Sequence, residues 1–374
     1  FYAPFNKIEE RGEVKNLVAK LTKSGENVKS DIKVFGFIAN RVYGKITNCG
    51  VEATNDKAGV AFPLTFGNDS KNIMGDDYIL GGVVGVVERG ATVSGIYSNA
   101  GMINMFIYAD AEHLGNLYSG DGNEITYDYN EKPIGSNYHM GGLVGVSNIA
   151  LQNLTNNISI HMQSEFKLNW NYQNSYTLTS DSTKQVSPAP SVYLGGVVAK
   201  LNGSDSSGEE LNITNNGDVL LDKTTSMLSP DDYSAEYRIY GNAYVGGVVG
   251  FAGAEARSLV KMYNNGSVLS EFKNAISINT YIGGVIGYVD ESTATKDLDN
   301  MKNSGAVFGT TRHNNAYNVN DYELGGIIGR LNGALTTDIN TLENTHDIIL
   351  VNTPVKKLGG VIGCYYIDPN SART

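Results

Sequence analysis

The sequence predicts an all-β fold, a parallel β-helix (β-solenoid), and three observations carry that expectation. A Gly-Gly phrase returns seven times, first clearly as Leu80-Gly81-Gly82-Val83-Val84-Gly85. Its later glycine pairs are Gly141-Gly142, Gly195-Gly196, Gly246-Gly247, Gly283-Gly284, Gly325-Gly326 and Gly359-Gly360. An asparagine phrase, apolar-x-Asn-x-Gly-x-apolar, follows every pair except the last, at Asn99, Asn156, Asn215, Asn264, Asn303 and Asn344. The separation from glycine pair to asparagine is nearly constant (Gly81 to Asn99, Gly141 to Asn156, Gly195 to Asn215). The return to the next pair is long in Asn99 to Gly141 and short in Asn264 to Gly283. A fixed half reads as stacked scaffold and a variable half as insertions on one side.

Taken in order, residues 1–30 form a lead-in or first partial coil. Leu17, Ala19 and Leu21 alternate with Asn16, Val18 and Lys20 as in a strand, with a short helix as the alternative. Val34-Phe35-Gly36-Phe37-Ile38-Ala39 reads as a degenerate Gly-Gly phrase with Phe35 in the first glycine's place. Ile46-Thr47-Asn48-Cys49-Gly50-Val51 reads as a shortened asparagine phrase. Residues 31–374 then form the repeat domain, with insertions near 104–139, 163–193 and 222–244. Ile158 and His346 stand where the asparagine phrase elsewhere has glycine.

The residue types favour strands over helices. Glycine pairs inside an apolar run cost a helix about 1 kcal/mol per glycine, and the surrounding Val and Ile prefer extended backbone. Asparagine tolerates a left-handed conformation, caps nearby backbone groups, and can stack as an amide ladder.

These two phrases together resemble the GLUG-motif repeats of bacterial secreted and surface proteins, over about residues 31–363. The resemblance implies a β-helix in an adhesin-like, extracellular or cell-surface setting. It brings no catalytic residues, and the long insertions depart from the compact pattern of that family.

Composition narrows the function classes. The 374-residue chain has a net charge of -11, which repels phosphate backbones and disfavours nucleic-acid binding. Cys49 and Cys364 lie at opposite ends and are expected to be free thiols. No apolar run is long enough for a spanning helix, so any membrane association is expected through anchoring outside this segment. The chain begins at Phe1 without a leader, as after signal removal or in an excerpt of a longer chain. The array stops mid-repeat after Gly363, so continuation or a capping module is expected.

Site residues are sought in the insertions. Trp170, Tyr172 and Tyr176 sit among Asn and Gln, and Tyr233, Tyr237 and Tyr240 among Asp and Glu. Rings stack on apolar sugar faces while amides and carboxylates bind hydroxyls, so these residues are the candidate glycan contacts. The plainer alternative is that the tyrosines pack the insertions against the solenoid. Asp76-Asp77, Asp121 and Asp231-Asp232 offer oxygen ligands of the kind calcium takes, but no calcium-loop spacing frames them. No cofactor or metal site is expected. His113, His139, His161, His313 and His346 lack ligand spacing and are expected at surfaces or turns. No His-Glu-x-x-His, Gly-x-Ser-x-Gly or phosphate loop is present.

The expectation is therefore a non-enzymatic surface or secreted protein that binds a glycan or a surface-protein partner. A β-helix polysaccharide lyase or glycoside hydrolase is the alternative, and a structural stalk the third. A binder should show an aromatic row, an enzyme converging ionisable groups, and a stalk neither.

Overall fold

The computed structural model describes residues 3–21, 26–27, 33–53, 60–66, 77–99, 103–109, 137–166, 191–203, 211–221, 238–272, 275–291, 297–311, 321–333, 341–351 and 357–366. Among them there is no helix, and the strands form a parallel β-solenoid. Each turn of chain contributes one strand to each of four long sheets, here called faces I to IV. Each strand pairs in parallel with its counterparts one coil away. Face I holds eight strands, including Tyr78–Gly81, Tyr138–Gly141 and Val192–Gly195, and each ends on the first glycine of a pair. Face II holds nine, among them Val84–Val87 and Val144–Ser147. Face III carries the asparagine phrase, as in Leu154–Asn156, and face IV follows, as in Ile160–Phe166. A small three-stranded sheet (Glu13–Lys15, Lys45–Thr47, Thr92–Ser94) joins faces II and III in the early coils. The lead-in belongs to this stack: Phe5–Ile8 pairs with Ala39–Val42, and Val18–Leu21 with Gly50–Ala53.

The glycines of the phrase have three separate steric roles. A side chain at the first, such as Gly141, would collide with the Val144 carbonyl of its own turn. At the second, such as Gly247, it would strike the Gly284 carbonyl of the next coil and the Asn264 amide. At the third, such as Gly287, it would meet the Val245 carbonyl one coil back, 2.7 Å from the added carbon. Only glycine gives the backbone this close approach. The result is a sharp turn from face I to face II, with room inside it for an amide.

That amide belongs to a ladder running inside the solenoid. The Nδ2 groups of Asn156, Asn215, Asn264 and Asn303 donate to the Oδ1 of the next asparagine at 2.8–2.9 Å, ending on Asn344. Each also donates to the carbonyl two residues on, for example Asn264 to Gly266 at 2.6 Å. Several accept that same residue's N–H, as Asn215 does from Gly217. Asn156, Asn215, Asn264 and Asn303 are wholly buried. A buried amide with its donors and acceptors matched is stable where a lone one would not be.

The register corrects three sequence alignments. Ser98, not Asn99, lies opposite Asn156, so Ser98 occupies the ladder position. Asn99 instead begins an exposed outer ladder, accepting from Asn157, which accepts from Asn216, which accepts from Asn265. Gly36, not Phe35, pairs with Gly81, and Phe37 therefore replaces the second glycine in that coil. Its ladder position is the apolar Val51, which pairs with Ser98. The left-handed backbone expected of the phrase asparagine is found at Asn48 of the shortened early phrase, and otherwise falls on other residues, at Asn16, Asn153, Asn212, Lys261 and Asn300. Asn153 and Asn212 stand just before a face III strand, and Lys261 and Asn300 interrupt the pairing inside one.

The insertion bounds also shift. Ile103–Ala109 and Ile160–Phe166 are strands of face IV, and Arg238–Gly246 is a strand of face I. The parts of the three sequence insertions between these strands, 110–136, 167–190 and 222–237, lie outside the described residues.

Candidate binding groove

The turn at the glycine pair is so tight that the outer surfaces of faces I and II meet. On face I the outward residue two places before the first glycine recurs as Ile79, His139, Tyr193, Tyr244, Tyr281, Glu323 and Lys357, in register through each pairing. On face II the residue five places after it recurs as Val86, Val146, Lys200, Phe251, Tyr288, Arg330 and Cys364. Side chains of the two columns touch across the corner, so the outside of the solenoid is concave there.

At the N-terminal end the groove is apolar: Ile79, Val86 and Val146 pack with Val34 as a cluster separate from the main core. An aromatic row follows. The His139, Tyr193, Tyr244 and Tyr281 rings stack with centroids 4.4, 4.9 and 5.4 Å apart. Opposite them Phe251 and Tyr288 stack at 5.3 Å, and edge-to-face contacts such as Tyr244 to Tyr288 at 5.2 Å join the columns. This spacing follows from the rung separation of about 4.8 Å in a parallel sheet. Because each central ring is covered on both faces by its neighbours, the row presents ring edges and hydroxyls.

Polar groups stand at both ends of the row. At one end His139 is buried, and its Nε2 lies 3.3 Å from Asp77 Oδ2. Asp77 Oδ1 also accepts from the Asn137 backbone N–H at 3.2 Å and from its Nδ2 at 3.0 Å. Burial opposes ionisation of Asp77, but the bonds from His139 and Asn137 outweigh it and hold the carboxyl below its usual range. Burial pulls the imidazole of His139 below its ordinary value, and Asp77 only partly restores it. Lys200 places its ammonium 5.2 Å from the Tyr193 ring centroid and 5.4 Å from that of Phe251, a cation–π arrangement. Burial lowers its pKa against the attraction of Asp77 and Asp290.

At the other end Glu323 is fully buried. Its Oε1 accepts from Arg330 at 3.2 Å and from Lys357 at 2.7 Å. Arg330 also lies over Tyr281 and donates to Asn332, whose Nδ2 donates to the Tyr288 hydroxyl at 2.6 Å. Tyr244 accepts in the same way from Asn242.

Most of the insertion candidates, Trp170, Tyr172, Tyr176, Tyr233 and Tyr237, lie outside the described residues. Tyr240 lies in Arg238–Gly246, opposite Ser277. His139 departs from the expected surface or turn position, since it lies buried in a central strand of face I. The groove residues were missed because they do not form a motif in sequence. Alignment on the first glycine gathers them into two columns. Among the described residues no group of three His, Cys, Asp or Glu side chains gathers as a metal site.

Comparison with protein-family models, curated proteins and solved structures finds no match to this chain. The functional reading therefore rests on the groove itself.

Proposed function

We propose that this protein is a non-enzymatic binding or adhesion protein of the bacterial cell surface or extracellular space, and that it holds an extended glycan along the groove between faces I and II. The observation that carries this reading is the aromatic row, which lies outside the main core and stays in register from coil to coil. A groove that repeats with the coil suits a ligand that also repeats, and its long axis follows the stack. The GLUG-like phrases support the extracellular setting.

Retention on a panel of immobilised polysaccharides tests the proposal, with wild type beside Tyr281→Ala and a Trp170→Ala, Tyr172→Ala double variant. Wild type should be retained by at least one polymer, Tyr281→Ala should be retained less, and no new reducing or unsaturated ends should form. Product formation would replace this reading with the carbohydrate-active enzyme. Retention of a surface protein but no glycan would move the groove to a protein partner.

A further inference from the structure

We infer that the mouth of the groove at Asp77, His139 and Lys200 is a subsite for the neighbouring hydroxyls of a neutral sugar, an inference that rests on the glycan reading above. Asp77 bonds to His139, whose ring stacks on Tyr193, and the Lys200 ammonium lies 5.2 Å from the Tyr193 ring centroid, yet among the described residues Asp77 and Lys200 form no ion pair. Asp77 is held in place by His139 and by both donors of Asn137, with its side chain 45% exposed, so it is a fixed and accessible acceptor. Lys200 has aromatic neighbours but, among the described residues, no hydrogen-bonding partner for its ammonium. A fixed acceptor and an unused donor at the same stacked ring pair, His139 and Tyr193, fit a ligand that donates at one point and accepts at the next. Adjacent sugar hydroxyls do both.

Charge selects the neutral ligand. Asp290 adds a second carboxylate to the field at Lys200, and the chain carries a net charge of -11. A uronate- or sulfate-bearing polymer would be repelled on approach and would meet two carboxylates for one ammonium. The ring stack gives the second reason for recognition by hydroxyls. Tyr193 is covered on one side by His139 and on the other by Tyr244, so a sugar at this mouth has no free ring face to stack on. Its binding must come from hydrogen bonds, and those to charged partners are the strong ones. His139 is a positioning residue here. It orients Asp77 and does not itself reach the ligand.

Affinity electrophoresis through gels containing a neutral β-glucan, mannan or galactan, beside gels with a uronate polymer and a sulfated polymer, tests this directly. Wild type should be retarded by a neutral polymer and not by the charged ones. Lys200→Gln and Asp77→Asn, which keep side-chain size, should each weaken retardation by about tenfold or more. Lys200→Arg should retain most of it, and thermal unfolding of each variant checks that the fold is kept. Wild-type retardation in both Lys200→Gln and Asp77→Asn, with loss in Tyr281→Ala, would overturn the subsite while leaving the groove reading intact. Preference for an acidic polymer, or competition by a free amino acid instead of a methyl glycoside, would also overturn it. Absence of retardation by every polymer would overturn the subsite and the glycan reading together.

Discussion

Two columns of side chains run along this solenoid, and they differ in how far their hydrogen-bonding capacity is used. From Asn156 onward the inner asparagine ladder is saturated, each buried amide spending its donors on the next asparagine and on its own turn, and among the described residues only the Ser98 hydroxyl at its first rung is buried without a partner. The outer aromatic row is not saturated. Among the described residues Lys200 has no acceptor, and the Nδ1 of His139 and the Oε2 of Glu323 are buried without a partner. Both columns come from the same repeat and the same rung spacing. A side chain that completes its bonds within the coil stack is scaffold, whereas spare capacity on the outer columns, as at Lys200, is where a ligand can be recognised.

The sharpest way to break this contrast is to attack the inner column through its glycines. Gly284→Ala puts a carbon about 2.1 Å from the Gly326 carbonyl and 2.5 Å from Asn303. It should destabilise by more than about 4 kcal/mol or prevent folding, seen as loss of the unfolding transition in urea. Asn264→Ala comes next. It leaves an amide hydrogen of Asn215 and Oδ1 of Asn303 without their ladder partner, at a cost of about 3 kcal/mol by the same measurement. At the outer column Arg330→Met leaves the buried Glu323 carboxylate with Lys357 alone, and a loss of about 2–3 kcal/mol is expected.

A pH series sharpens the comparison further. His139 and Asp77 both have pKa values lowered by folding, so below about pH 6.5 the unfolded chain takes up protons that the folded one refuses. Stability from this pair is therefore present at neutral pH and lost on acidification, first through His139 and then through Asp77. His139→Phe, which preserves a ring against Tyr193, should flatten the upper part of that slope in thermal melts. The smallest effect is expected at Asn216, in the exposed outer ladder. Asn216→Ala should cost less than about 1 kcal/mol although it removes two amide contacts, because water replaces them.

Much of the architecture was legible in the sequence because stacking demands the same small residue at the same corner in every coil. Gly81, Gly141 and Gly195 align for a steric reason, and the strand-to-strand register follows from them. The asparagine phrase was harder to place. Asn99 and Asn157 lie beside the ladder position, and a one-residue change moves a side chain from inside to outside. Phe35 and Phe37 misled for the same reason. The groove was illegible in a linear reading because its members vary in type (His139, Tyr193, Glu323) and are joined only by their offset from a glycine. Tyrosines in the insertions drew attention by their density, whereas those facing the groove are spread one to a coil.

The exchange of Gly82 and Ser98 for Phe37 and Val51 in an early coil has a consequence for how such a chain can change over generations. The two sites meet at one corner, where a glycine leaves room for a polar ladder side chain and Phe37 is matched by the apolar Val51, so neither is free to drift alone. Duplication or excision of a whole coil, by contrast, leaves every neighbour matched. Length in this molecule is thus easily altered, while the identity of any single coil is locked in pairs.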